Sequence, residues 1–426
     1  MLGEDAAGWV ARDADVVWHG FTQMSSYAEN EPVIVAAAEG RELIDVDGRR
    51  YLDAISSLWV NTLGHRVPEL DAALRDQLEL VAHSTMLGNG NVAVVELSEA
   101  LARVVPVDQP HFLYASDGAT AVEQALKIAF QHFVNLGDKE RTGFLALAGA
   151  YHGDTVGALS LGDGGFGTDL FDPLRFPVRR APSMAEAAEL VREHGPTLAA
   201  AVVEPLVQGA GGMLLHDPAE LAELAAACRE TGTLLVCDEV ATGFGRTGTL
   251  FAVEQAGVRP DILVLGKGIT GGYLPMAATV ASHRVYQSFL GPDLSELTLY
   301  HGHSYGGNAL AAAVATAHLA LFESLDVLGN VQARSEQLGA LLDSRVAGLR
   351  GVADIRLRGL MCGVELAPPL DGLRWGRRVC MAATQAGVLL RPLGDVVVLM
   401  PILTSTAEEI ERIVDALVDA IGQVCR

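Results

Sequence analysis

The sequence predicts an α/β protein with a large domain built on a mostly parallel central sheet and a smaller α+β domain. Three observations carry this. Short apolar runs alternate with longer helical patterns through the middle of the chain, as βαβ units do. Those runs are continuously apolar, the pattern of strands buried on both faces. After about residue 305 the alternation gives way to a long helix, a few short strands and a terminal helix.

Taken in order, residues 1–50 hold an alternating segment, Glu42 to Tyr51, around the Asp47-Gly48 turn. It reads as a hairpin that joins the small domain. The large domain is expected over residues 51–305, with strands at Phe144 to Leu147, Ala199 to Val203, Thr233 to Cys237 and Asp261 to Leu265. Each is a short apolar run closed by Gly, Pro or an acidic residue. Helices are expected at Ala121 to Phe133, Ser183 to His194 and Pro218 to Glu230, where apolar residues recur three and four apart. Residues 306–426 form the expected small domain, with strands at Gly363 to Leu366 and Val396 to Met400 and a helix from Thr406. Ala309 to Phe322 is Ala-rich, contains His318 and is shorter than the roughly 20 residues a bilayer requires, so it reads as a buried helix.

Composition narrows the function classes. Half of the 426 residues are hydrophobic and 19% are charged, enough for a large core without metals or disulfides. Lys and Arg number 30 against 53 Asp and Glu, and no basic run offers a track for a phosphate backbone, which excludes nucleic acid as a partner. Five scattered cysteines contain no C-x-x-C pair, so no zinc or redox site is expected and a reducing cytoplasm fits. Met1 to Asp15 is acidic and lacks a basic, apolar leader, so neither secretion nor a membrane partner is expected.

Chemistry enters at Asp261-Ile-Leu-Val-Leu-Gly-Lys267-Gly-Ile-Thr-Gly271-Gly272, where a lysine follows an apolar strand and is enclosed by glycines. In open α/β sheets, ligands gather at the carboxyl ends of strands. A lysine there can attack a carbonyl as a Schiff-base nucleophile when desolvation favours its neutral form; standing alone it reads equally well as a solvated strand end. An earlier strand, Leu234-Leu-Val-Cys-Asp238, ends in a carboxylate. A buried aspartate needs a cationic partner, and the protonated pyridine nitrogen of pyridoxal phosphate supplies one while keeping the ring an electron sink. By itself the same aspartate reads as a helix cap.

Ser116-Asp117-Gly118-Ala119-Thr120 precedes the first of these helices, where free amides and the helix dipole favour a phosphate, although an ordinary cap has the same appearance. Ala150-Tyr151-His152-Gly153-Asp154 places an aromatic in a glycine-flanked loop, able to stack on a cofactor ring or simply to pack. Gly243 to Gly248 also matches the dinucleotide fingerprint G-x-G-x-x-G. Asp238 and Glu239 just before it would set negative charge against a pyrophosphate, so a nicotinamide site is rejected.

Together, DEVATGFGRTG, GKGITGGYLP, the YHGD turn and the glycine loop before Glu123 resemble the class III, fold-type I aminotransferases nearly end to end. Within that class the chain is most similar to the enzymes that aminate 8-amino-7-oxononanoate in biotin biosynthesis. Trp18-His19-Gly20-Phe21, Ser56-Ser57-Leu58-Trp59, Gly64-His65, Val207-Gln208-Gly209-Ala210, His301-Gly302-His303-Ser304 and Gly387 to Pro392 carry that likeness.

The resemblance implies a fold-type I transferase that binds pyridoxal 5'-phosphate and works as a homodimer with shared active sites. By position, Lys267 holds the cofactor, Asp238 pairs with the pyridine nitrogen, and Tyr151 stacks on the ring. Gly118 and Ala119 bind the phosphate, helped by Ser304 from the other subunit, and Glu204 lies near the substrate end of the ring. Trp59, Phe21 and Gly302 are implied as substrate contacts, and Arg391 as the bidentate partner of the substrate carboxylate.

Three positions depart from the pattern. Asp117 stands where a serine is usual, so its charge must point away from the phosphate or weaken its binding. Phe21 replaces the tyrosine, and Leu58-Trp59 the Trp-Trp pair, of members that use S-adenosylmethionine; a lysine-using subgroup resembles this chain at both places. The implied amino donor is therefore S-adenosylmethionine or lysine. An ω-aminotransferase acting on another amine is the other reading within the class.

Overall fold

The computed structural model describes residues 5–163 and 168–426. They divide into two compact units, one spanning Pro68–Leu328 and the other the described residues up to Val67 together with Gly329–Arg426.

The larger unit is built on a seven-stranded sheet in the order His111–Ala115, Ala277–Ala281, Ile262–Leu265, Leu234–Asp238, Leu198–Val203, Gly143–Leu147, Arg179–Ala181. All neighbours run parallel except Ala277–Ala281, which is antiparallel to both of its partners. The four expected strands are present within a residue of their expected bounds. Their uninterrupted apolar character has a direct cause, since both faces are covered. Phe144, Ala146, Val202, Val236 and Val264 pack with Ala121, Val122, Ala125, Ile128 and Ala129 of the Gly118–Asn135 helix. The intervening Leu145, Leu147, Ala201, Val203, Leu235 and Cys237 are buried as well. Each such Val or Leu contributes about 1.5–3 kcal/mol by leaving water. All five cysteines are buried thiols.

In the smaller unit, the antiparallel strands Val352–Arg358, Met361–Leu366, Val396–Leu399 and Arg391–Leu393 form one sheet. A second sheet contains the expected hairpin, pairing Leu43 with Tyr51 across a turn in which Gly48 has φ +82° and Asp45 accepts from the amides of Asp47 and Arg49. The terminal helix Ala407–Val424 starts at a capping box in which Thr406 and Glu409 bond reciprocally to each other's amides, and it buries one face.

The units divide later along the chain than residues 50 and 305, where the sequence pattern placed the changes. Arg50–Asp53 pairs with Val388–Leu389 of the smaller unit, which draws residues 51–67 into it. The Ala-rich helix Ala309–Ser324 packs on helices Pro68–Leu80 and Val92–Ala102 and so belongs to the larger unit. Among the described residues, no single helix is long and apolar enough to cross a membrane.

Candidate active site

Parallel strands deliver the chemistry-bearing side chains to one edge of the large sheet. Asp238 is the last residue of its strand, Glu204 directly follows Leu198–Val203, and Lys267 stands two residues after Ile262–Leu265. Register fixes their relation, with Asp238 opposite Val264 and Cys237 opposite Val203.

Glycines mark where other segments close on this edge. A Cβ at Gly118 would lie 2.8 Å from Cγ1 of Val240, and one at Gly266 would lie 3.1 Å from that atom and 3.6 Å from Cα of Gly118. The helix N-terminus, the turn after Asp238 and the Lys267 loop are therefore in van der Waals contact. Gly153, with φ +123°, seats the Tyr151–Asp154 turn on the same place; a Cβ there would sit 2.4 Å from Cβ of Ala119.

Asp238 is buried and oriented by one hydrogen bond at each oxygen. Its Oδ2 accepts from Nδ1 of His152 at 2.7 Å and its Oδ1 from the Val240 amide at 3.0 Å. His152, also buried, was not singled out from the sequence, although it directly follows Tyr151 in the YHGD turn. Glu204 accepts from the amides of Tyr151 (3.1 Å) and Gly209 (2.9 Å). Burial pushes its pKa up to about 7, with His152 opposing and Asp238 reinforcing the shift. Lys267 is lowered from the ordinary lysine value, first by desolvation; Asp238 and Glu204 pull it back up and Arg246 adds to the depression. The amine thus faces two carboxylates and still favours its neutral form more than a solvated lysine does.

Asp117 serves as a helix cap. Its Oδ1 accepts from the Thr120 amide at 2.9 Å as the cap of an 18-residue helix, and its side chain is exposed. The amides of Gly118 and Ala119 are left to the cleft. Ser116 donates its amide to Nε2 of His303 at 3.1 Å, which ties the Gly302–Ser304 segment to this helix start within one chain. The Ser304 carbonyl accepts from His83, and the Ser304 side chain is exposed. Tyr151 is half-buried and donates its hydroxyl to Asp154 at 3.0 Å.

The dinucleotide fingerprint lacks its structural context. No helix opens at Gly243–Gly248; Phe244, Gly245 and Gly248 have φ of +54°, +88° and +103°, and the next helical piece is the 3-10 turn Ala252–Ala256. Glu239 fills this loop from within by accepting from Ala252 N, Val253 N and Thr242 Oγ1 at 2.8–2.9 Å. Trp59, Phe21 and Arg391 belong to the smaller unit. Trp59 is buried at the end of a turn whose four non-glycine residues, Ser56 to Trp59, all have positive φ. Phe21 and Arg391 are exposed.

This donor set fits pyridoxal phosphate in three places: an amine of lowered pKa for its aldehyde, a buried carboxylate for its ring nitrogen, and helix-start amides cleared of side chains for its phosphate. Gly153→Ala tests the cradle. Its methyl meets Ala119 at a backbone angle that costs about 1–3 kcal/mol, so cofactor affinity is expected to fall roughly 10-fold or more in titrations of the cofactor-free protein. Unchanged affinity would show that this turn does not shape the site.

The class-III aminotransferase family matches residues 24–421. An adenosylmethionine-8-amino-7-oxononanoate aminotransferase from Nitratidesulfovibrio vulgaris (strain Hildenborough) is 47% identical over 96% of this chain and 80% of its own length. The crystal structure of the enzyme of that name from Methanocaldococcus jannaschii superimposes with a TM-score of 0.95 at 38% identity, covering 99% of this chain and all of its own. An (S)-enantioselective omega-transaminase from Thermomicrobium roseum superimposes at 0.92 with 32% identity, covering 99% of this chain and 100% of its own. With a matching family pattern over nearly the whole length and a strand-end lysine, carboxylate and amide cradle suited to its cofactor, the chain belongs to the class-III aminotransferases and uses pyridoxal 5'-phosphate.

Proposed function

We propose that this enzyme transfers an amino group to 8-amino-7-oxononanoate, giving 7,8-diaminononanoate in biotin biosynthesis, with S-adenosylmethionine or lysine as donor. The single observation that carries the substrate is the 47% identity to a relative named for this reaction, over 96% of the chain. Phe21 and Leu58 favour lysine, because a lysine-using subgroup resembles this chain at both places. A homodimer with shared active sites, in the cytoplasm, completes the reading.

The bound cofactor supplies a carbonyl to receive the amino group and a cationic ring to delocalise the electron pair left when a proton is removed. The chain's residues do the rest. Lys267 Nζ, lowered in pKa, would take the proton from the carbon that bears the donor's amino group and return one across the nitrogen, the task of a general base and acid in one group. Asp238, oriented by His152 and the Val240 amide, holds a proton on the ring nitrogen through its negative charge. Tyr151 covers the ring, Gly118 and Ala119 hold the phosphate with Ser304 of the partner subunit, and Glu204 sets polarity at the substrate end. Arg391 takes the substrate carboxylate, and Trp59, Phe21 and Gly302 complete the acceptor site.

Half-reactions test this reading. Incubation with lysine or with S-adenosylmethionine should convert the cofactor to its amino form, and 8-amino-7-oxononanoate should then restore the starting spectrum with formation of 7,8-diaminononanoate. The likeness to the T. roseum transaminase sets the competing outcome. Turnover of simple chiral amines with no response to 8-amino-7-oxononanoate would assign the chain to the ω-aminotransferases instead.

A further inference from the structure

His318 lies on the Ala309–Ser324 helix, completely buried and outside the constellation described above. Its ring meets Phe322 edge-on at 5.0 Å and Phe244 at 6.0 Å. An apolar side chain would satisfy such surroundings at no polar cost, yet the position holds an imidazole, on a helix that packs directly against the Lys267–Thr270 turn and within reach of the backbone carbonyl of Ile269. Ile269 is the third residue of the Lys267–Thr270 turn.

That turn needs restraint. Lys267 has φ +41°, a left-handed conformation that a residue with a side chain holds only when its surroundings impose it. Hydrogen bonds within the turn use the carbonyls of Gly266, Gly268 and Thr270, and the Thr270 hydroxyl closes on the Leu274 carbonyl at 2.6 Å. The Ile269 carbonyl is the one met by His318.

We infer that His318 is a positioning residue for Lys267: its hydrogen bond to the Ile269 carbonyl pins the left-handed turn and thereby aims the amine into the cleft. The chemistry of the group suits this role. Burial pushes the imidazole pKa down to about 3, so the ring stays neutral at any working pH and adds no charge beside an amine that must lose its own. An Arg or Lys donor at this place would bring a positive charge. Through Phe244, the same ring also touches the glycine loop that follows Asp238, so one side chain braces both loops that carry the cofactor-facing ends of the site.

This inference rests on Lys267 as the cofactor-bearing amine, and its test reads that amine directly. The chain contains only three lysines, Lys127, Lys139 and Lys267, so competitive acetylation with peptide mass spectrometry resolves the titration midpoint of each in the full-length protein freed of cofactor. His318→Phe keeps the ring packing and removes the hydrogen bond, while His318→Gln keeps a neutral donor. In His318→Phe the Lys267 midpoint is expected to rise by about one pH unit or more, as the amine reaches water. In the holoenzyme the pH titration of cofactor absorbance should shift with it, and kcat should fall roughly 10- to 100-fold with KM for the keto acceptor nearly unchanged. His318→Gln should restore both to near the parent values. Should His318→Phe fail to fold, His318→Asn, too short to reach the carbonyl, replaces it in the comparison with His318→Gln. An unmoved Lys267 midpoint in the variant lacking the hydrogen bond overturns the inference, whatever happens to thermal stability. If Lys267 is not the cofactor-bearing amine, the acetylation midpoint still shifts while the absorbance titration does not, which separates failure of that reading from failure of this one.

Discussion

Lys267→Ala should abolish turnover, lowering kcat by at least about 10⁴-fold, the upper range for a positioned general acid–base group. It should also remove the absorbance of the lysine-bound cofactor. Stability is expected to move the other way. Lys267 has its pKa lowered on folding, so the unfolded chain binds this proton more tightly than the native one. A base with that sign costs stability below its native pKa, and the cost fades as pH rises toward the ordinary lysine value. The cofactor-free alanine variant should therefore melt at the same temperature as the parent or above it near neutral pH, with the gap closing toward alkaline pH. Desolvation leads the shift and the attraction of Asp238 and Glu204 only partly offsets it, so relief of the amine's desolvation outweighs the attraction the two carboxylates lose. Retained turnover and retained absorbance would dismiss Lys267 from its role. A variant that loses turnover together with its fold would show that the lysine is structural.

Much of this site could be read before any coordinates, and the reason is chemical. Strands such as Leu198–Val203 are covered on both faces, so their sequence is uninterrupted and apolar, and the residue that ends each run stands out. Asp238 and Lys267 were legible because a charged residue closing a buried strand demands a partner. His152 was not, because its contact with Asp238 joins segments 86 residues apart and depends on how the Tyr151–Asp154 turn folds back. Strand direction was also hidden. Ala277–Ala281 is as apolar as its parallel neighbours, and composition says nothing about which way it runs. The four left-handed residues at Ser56–Trp59 include no glycine to announce them; Asp53 imposes that turn by accepting from the Ser57 amide and hydroxyl at 2.9 and 2.7 Å. The direction of the Asp117 side chain was likewise hidden, since it is fixed by a bond to the Thr120 amide.

Asp238→Asn is expected to lower kcat by about 10³- to 10⁴-fold while leaving the fold intact. A carboxylate about 3 Å from a protonated ring nitrogen, at an effective dielectric near 20, would be worth roughly 5 kcal/mol before desolvation, which would keep the nitrogen protonated and the ring able to take up electrons. The amide has nearly the same shape but carries no charge. It can still accept from one donor, but its NH₂ then faces the other of two groups that now both donate, His152 Nδ1 and the Val240 amide. His152 must therefore change tautomer or lose its partner, so cofactor affinity should fall as well. The two contributions separate experimentally. Reconstitution of Asp238→Asn with a cofactor analogue methylated on the ring nitrogen supplies a permanent positive charge, and it should recover part of kcat without recovering affinity. A variant within 10-fold of the parent kcat would mean that Asp238 serves only to hold the turn. Loss of activity with no recovery by the cationic analogue would place its importance in the His152 contact rather than in its charge.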